Sequence, residues 1–309
     1  MMSEVDGAVE RELMPCRQIS AAESFATLVA VVVPLLGVIV AVCGMWGWAF
    51  TWVEMALLLG MYLATGLGVT IGFHRLFAHR SFETVLPVKF LLAVLGSMSV
   101  QGPLLRWVAT HRRHHQHSDQ AEDPHSPHRF GGGFRGVLAG WWHAHVGWMF
   151  MPERPSLARY VRDLRRDKLL RLVSRSFSVW VVLGLAIPTG LGAFLTGAWT
   201  GALLGFLWGG LVRIFLVHHL TWSINSICHL WGRRPFKCDD ESRNNTICGV
   251  LAFGEGWHNN HHAFPYSARH GLRWWEFDLS YIVICGMELL GLAWRVRVPA
   301  HDAIVAKRA

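Results

Sequence analysis

The seven residues HRRHHQH, at 111–117, hold four imidazoles and two guanidinium groups. The H-x-x-H-H spacing returns at 258–262 as HNNHH, the stretch HRLFAH contributes His74 and His79, and NSICH sets Asn225 four residues ahead of His229. Residues three and four apart share a helix face, so His111, His114 and His115 project together, as do His258, His261 and His262, and Asn225 with His229. His74 and His79 lie five apart, more than a third of a turn from each other at about 100° per residue. They therefore serve two different metal ions, or a helix ends between them. Neutral imidazole suits Fe, Zn, Cu and Ni, whereas clustered imidazolium ions repel one another. A single such cluster would read equally well as a cationic lipid patch or as core histidines. Three clusters together with the Asn225 and His229 pair predict two metal ions. Asp119, Glu122, Asp123 and Glu255 adjoin the clusters and are expected to fix the ring tautomers through the second nitrogen. His117, His125, His128, His143, His145, His270 and His301 share no such spacing and are expected to be hydrogen-bonding or surface residues.

The elements that position these residues follow from composition. The chain has 309 residues, 52% of them hydrophobic and 16% charged, with a mean hydropathy of +0.30; soluble domains carry about 25% charge. Phe25–Val53, Met55–Phe73 and Ser176–Val212 contain no charge, and a spanning helix needs roughly 20 such residues. The pattern predicts an all-α integral membrane fold with four transmembrane helices in two hairpins, about 25–46 with 51–73 and 177–197 with 201–222. Apart from three, all of the 29 Lys and Arg fall in Arg75–Arg175 and Arg233–Arg308. Residues 74–176 and 223–309 are therefore expected to be cytoplasmic, with uncharged turns at Gly44–Thr51 and Thr196–Gly201 on the opposite face. His218, His219 and Arg213 lie within the fourth span, where polar groups face protein or a cavity; they are expected to pack against the site or to snorkel. Residues 1–24 carry the wrong charge for a signal peptide and form a cytoplasmic N-terminal segment, and 25–309 form one membrane domain. Phe90–Ser99 is too short to span, and Arg159–Arg175 has the spacing of an amphipathic helix on anionic lipid. The six cysteines form no C-x-x-C and are expected to be reduced, packing thiols. No nucleic-acid motif accompanies the basic charge.

HRLFAH, HRRHHQHSDQAEDPHSP, HAHVGW, TWSINSICH and GEGWHNNHHAFPYSARHG, in this order and with these spans between them, resemble the membrane-bound fatty acyl desaturases of the stearoyl-CoA (Δ9) type, in their bacterial form. The likeness runs from about Tyr62 to Trp275. It implies a four-helix membrane domain under a cytoplasmic helical cap with a His-rich, non-haem di-iron site, and O2-dependent insertion of a cis double bond into a long saturated acyl chain. Carried over position by position, the iron ligands are His74, His79, His111, His114, His115, His229, His258, His261 and His262, with Asn225 acting through a water. The acyl tunnel is implied at Gln101, Trp107, Thr221 and Trp222, with Tyr62 and Gly66 at its blind end, where a small residue at 66 leaves room for a longer chain or makes a helix contact. No catalytic residue beyond the di-iron centre is implied.

The resemblance also implies partners and a location. The substrate is a long-chain acyl-CoA or acyl lipid, and MFMPERP at 149–155 lacks the basic pair with which animal members hold coenzyme A. Electrons come from a separate protein, such as a ferredoxin, a rubredoxin, cytochrome b5 or a flavin/Fe-S reductase, because the haem-binding HPGG is absent. The implied setting is a bacterial inner membrane, crossed several times, with the active site and termini cytoplasmic. Two competing readings are a di-iron acyl or lipid hydroxylase of the same architecture and a metal transporter. The transporter reading is weak because the only ligand-type groups inside the spans are His218, His219 and Glu54, and transporters place such groups in several spans.

Overall fold

The computed structural model describes residues 17–44 and 50–309. Positions 45–49 of the expected turn, and 1–16 of the N-terminal segment with Cys16, lie outside the described residues. The chain is mostly helical. Helices α1 (Ala21–Cys43) and α2 (Trp52–Ala78) come first, followed by α3 (Leu86–Ser97), α4 (Leu104–His117), α5 (Gly133–His145) and α6 (Lys168–Arg175). Then come α7 (Phe177–Thr196) and α8 (Trp199–Leu230), and the shorter α9 (Thr246–Leu251), α10 (His258–Ala263), α11 (Leu279–Leu289) and α12 (His301–Ala306). Two short antiparallel pairs tie distant segments together, Arg17–Gln18 with Glu153–Arg154 and Glu83–Thr84 with Ala293–Trp294.

Helices α1, α2, α7 and α8 are long and apolar enough to cross a membrane. The outer α1 and α7 leave residues such as Leu36, Ile39, Val182 and Phe194 exposed, while α2 and α8 are mostly buried. Reciprocal capping boxes start the first two: the Ser20 N–H donates to Glu23 Oε2 at 3.0 Å and the Thr51 N–H to Glu54 Oε2 at 2.8 Å, each satisfying an end amide. Glu54, 1% exposed, thereby caps its own helix. Helices α7 and α8 meet on small residues. A β-carbon on Gly192 would overlap the Gly201 carbonyl oxygen, and one on Gly205 the Pro188 carbonyl oxygen, the close backbone approach typical of helix contacts in lipid.

Both inner helices continue past their expected ends at 73 and 222, to Ala78 and Leu230, and the polar residues they carry are satisfied inside the protein. Arg75 is fully buried between Glu255 and Asp278, at 3.0 Å from each. Arg213 donates to the carbonyl oxygens of Gly209, Met98 and Gly184 at 3.1, 2.7 and 2.7 Å. His218 Nε2 lies 3.0 Å from the Ser99 carbonyl oxygen, and His219 Nδ1 is 3.0 Å from His145 Nε2. None of the three snorkels. The Arg159–Arg175 stretch is not one helix: it breaks into short turns at Leu157–Tyr160 and Leu164–Arg166 before α6. Asp167 caps α6 by accepting from the Leu169 and Leu170 amides, and Asp163 is held by Arg112 at 2.8 Å. The five described cysteines are free thiols.

Candidate metal centre

Four separate elements bring the nine histidines together. Residues Gly68–Ala78 of α2 are wound as a π-helix, and the His79 N–H donates to the His74 carbonyl oxygen five residues back, at 3.1 Å. Such i→i+5 turns are rare and concentrate at functional sites. The helix ends between the two residues, the second of the options left open by their spacing. Both rings join one group, with centroids 4.8 Å apart. Helix α4 delivers His111, His114 and His115, α8 delivers His229, and α10 delivers His258, His261 and His262.

The rings sort into two groups able to hold a metal. His74, His79, His111, His115 and His261 form the first; His114, His229, His258 and His262 form the second. Within each, one ligand atom per residue lies within 4.8 Å of all the others. In the first group Nε2 faces Nε2 at 3.1 Å for His74 and His261, 2.8 Å for His79 and His111, and 2.9 Å for His115 and His261. In the second, His229 and His258 do the same at 3.1 Å. Nitrogens about 2.1 Å from one ion and at right angles would stand about 3 Å apart, which is this spacing. The Nε2 atoms of His114 and His262 are buried and have no hydrogen-bond partner among the described residues, an arrangement that is costly unless something else accepts their lone pairs. The groups adjoin, since the rings of His115 and His262 stack at 4.5 Å.

Carboxylates orient the rings from behind. Asp119 Oδ2 lies 2.8 Å from His229 Nδ1, Asp123 is 3.0 Å from His114 Nδ1, and Glu255 pairs with His74 Nδ1. Glu122, expected to share this task, is exposed and reaches Arg113 through its carbonyl oxygen alone among the described contacts. Asp240 takes its place, 2.6 Å from His262 Nδ1. Each pair leaves Nε2 as the free ligand atom. Burial alone would raise the Asp119 carboxyl, but the hydrogen bond and charge of His229 outweigh it and hold the group well below its usual range. Asp123 and Asp240 behave likewise, through His114 and His262 respectively.

Burial, reinforced by neighbouring imidazoles, pushes His79, His111, His115, His258 and His261 far below the usual histidine value, and burial brings His262 down to about 4 despite Asp240. These six rings are neutral at pH 7, the form that binds metal. His114 moves the other way: burial lowers it, but Asp123 outweighs burial and raises it. Below pH 6.5 the unfolded chain takes up protons that the six depressed rings refuse, so stability falls with pH. Each such ring costs up to about 1.4 kcal/mol per pH unit. Metal-free protein in detergent is expected to melt progressively lower between pH 7 and pH 5, a trend that a thermal scan would reveal and that a flat profile would contradict.

Of the remaining histidines, His125, His143, His145 and His270 are buried. His145 hydrogen-bonds Ser226 and His219, both at 3.0 Å, and His128 Nε2 reaches the His229 carbonyl oxygen at 3.0 Å. His270 is not on the surface, and its ring makes no hydrogen bond among the described residues: Nδ1 lies 3.8 Å from Glu255 Oε1, and its centroid is 4.5 Å from that of His261.

A mostly apolar cavity is lined by the rings and by residues of α2 and α8. The lining includes His74, His111, His114 and His258, then Trp107, Thr221 and Asn225, and Tyr62, Gly66 and Phe253. Gln101 and Trp222 do not line it. Gln101 instead stands behind the wall, donating from Nε2 to Thr221 Oγ1 at 2.8 Å and accepting from Trp107 Nε1 at 3.0 Å. Trp222 is buried against His218, with centroids 4.8 Å apart. The space in front of Gly66 is not open, because the ring of Phe253 fills it.

The family model described as "Fatty acid desaturase" matches residues 46–281. The chain is 47% identical to the hex-5-enoyl-[acyl-carrier protein] acetylenase of Moorena producens, over 90% of this chain and 87% of that one. It is 39% identical to the sn-1 stearoyl-lipid 9-desaturase of Anabaena variabilis, covering 81% and 86%, and 34% identical to the acyl-CoA C20 Delta5-desaturase of Anemone leveillei, covering 97% and 95%. A match over most of the sequence, in a membrane protein whose histidines gather at the head of an apolar cavity, makes this chain an oxidoreductase of the fatty acid desaturase family.

Proposed function

We propose that this protein inserts a cis double bond at Δ9 of a long saturated acyl chain, using O2. The observation that carries this reading is the convergence of two imidazole groups, with ring nitrogens that lack a hydrogen-bond partner among the described residues, on a mostly apolar cavity. Imidazole sites with open positions suit iron, so His74, His79, His111, His115 and His261 would hold one ion and His114, His229, His258 and His262 the other, with Asn225 reaching the second through a water. When bound, a pair of irons with O2 and two external electrons supplies the oxidant needed for unactivated C–H bonds, chemistry that no side chain provides.

The chain's own residues bind and orient. The apolar walls take up the acyl chain and exclude water, and the Gln101 hydrogen bonds fix Trp107 and Thr221 so that one C–C pair faces the rings. Proximity and orientation then choose the bond. Behind the rings, Asp119, Asp123, Asp240 and Glu255 hold the tautomers. The named relatives act on acyl groups carried by lipid, by CoA and by acyl-carrier protein; a lipid or CoA carrier fits this reading. A separate redox protein delivers electrons. The spans form two hairpins, 25–309 act as one membrane domain, and the metal end and both termini face the cytoplasm, on the side of the basic segments.

Expression of the full chain in a host lacking this activity, followed by mass spectrometry of the phospholipid and acyl-CoA pools, tests the proposal. Monounsaturated chains with the double bond at Δ9 are expected; a hydroxy acid, or no new product beside a competent electron donor, would overturn it. The acetylenase similarity favours a second reading, in which the substrate already carries a double bond and the product is an alkyne. Feeding a terminal-alkene fatty acid to the same cells separates the two.

A further inference from the structure

We infer that the side chain of Phe253, which no sequence motif singles out, is the end wall of the acyl cavity and sets the longest chain the enzyme accepts. This rests on the proposed desaturase reading and adds a specificity residue to it. Phe253 lines the same cavity as the ring cluster, at the end that also includes Tyr62 and Gly66. Gly66 lies eight residues before His74 along α2, roughly 10 Å of helix away, and Tyr62 lies one turn farther.

Two contacts fix the Phe253 ring in this position. It packs against Tyr62 with centroids 5.1 Å apart. It occupies the place that a β-carbon at residue 66 would take, so only glycine allows this approach. Tyr62 is itself anchored, its hydroxyl donating to the Leu251 carbonyl oxygen at 2.5 Å. The backbone is committed to the same end. Phe253 has φ +56°, a left-handed conformation that is an outlier for a bulky residue, and such strain clusters at ligand clamps. It is held there by the Ser280 N–H, which donates to the Phe253 carbonyl oxygen at 3.1 Å, and by the Gly254 N–H to the Gly249 carbonyl oxygen at 2.8 Å. The chain reversal aims the ring back into the cavity, two residues before Glu255, which orients His74.

The test compares the parent with Phe253→Ala and Phe253→Gly in the full-length, membrane-expressed protein. Glycine is the variant best suited to the left-handed backbone, so it guards against loss of folding. Cells are fed a homologous series of saturated fatty acids that differ by two carbons, and the unsaturated products are quantified. Both variants are expected to raise the yield from chains one step longer than the parent's optimum by about tenfold relative to that optimum, the value of two methylenes buried instead of refused. Gly66→Ala, which must displace the ring, is expected to move the optimum away from the parent's. A parent that makes unsaturated product while the active Phe253 variants keep its chain-length profile would overturn this inference and leave the desaturase reading standing. A parent that makes none would overturn the desaturase reading itself.

Discussion

The His261→Ala variant is expected to make no unsaturated product and to be purified with less than its full metal content. His261 Nε2 is the nitrogen most shared in the five-ring group, 3.1 Å from His74 Nε2 and 2.9 Å from His115 Nε2. Its ring is 1% exposed and lies between those of His270 and His79, with centroids at 4.5 and 4.6 Å. Alanine therefore removes a nitrogen from the middle of the group, and Glu255 holds the adjoining His74 ring where it stands. Loss of a carboxylate that merely orients a ligand typically costs about 10–100-fold, so loss of the ligand should exceed that range. The fold has other supports, since α10 is anchored by Asn259 and Asn260, which reach the Phe236 amide and the Glu276 carboxylate at 2.8 Å each. Membrane insertion should accordingly survive. Metal analysis beside the lipid profile decides the matter: a variant with the parent's yield would remove His261 from the ligand set.

The site was legible in the sequence wherever it followed α-helical spacing. The two H-x-x-H-H stretches need only a period of 3.6 to be read. His74 and His79 needed a π-helical turn, which no residue pattern announces, and two options stayed open until the backbone was seen. Asp240 could not be found because it meets His262 from 22 residues away across an irregular segment, whereas Asp119 and Asp123 adjoin their cluster. Glu122 shows the limit of adjacency as a guide, since a one-residue difference from Asp123 turns it to the surface. The four apolar spans stood out by composition, yet the ends of α2 and α8 did not. Arg75 looks like a span terminator when solvent or lipid is the assumed partner, but the protein itself supplies its partners. Phe253 looked like one more apolar residue, and its significance comes from the glycine opposite it, nearly two hundred residues earlier.

Arg75 underlies the second large effect, on stability and on the metal end together. Its guanidinium is fully buried and meets Glu255 Oε1 and Asp278 Oδ1 at 3.0 Å each. Asp278 also accepts from the amides of His270, Gly271 and Tyr281 at 2.7, 3.2 and 3.0 Å. Burial nevertheless raises its carboxyl above the usual value, against the pull of Arg75. The arginine is thus what keeps two buried carboxylates compatible with the interior. Arg75→Met leaves both without their cation, a change that costs about 3–5 kcal/mol when a buried pair loses one partner. The damage should not stop at stability. Glu255 pairs with Arg75 on one side and with His74 Nδ1 on the other, so a freed Glu255 no longer fixes the His74 ring. The variant in detergent should melt well below the parent and retain metal poorly, while Arg75→Met combined with Asp278→Asn should recover part of the melting temperature by removing one orphaned charge. Because the double variant still lacks the cation beside Glu255, it should recover stability without recovering metal. A single variant that melts at the parent's temperature would instead mean that water reaches these carboxylates, and that the helix continues past Arg75 for some other reason.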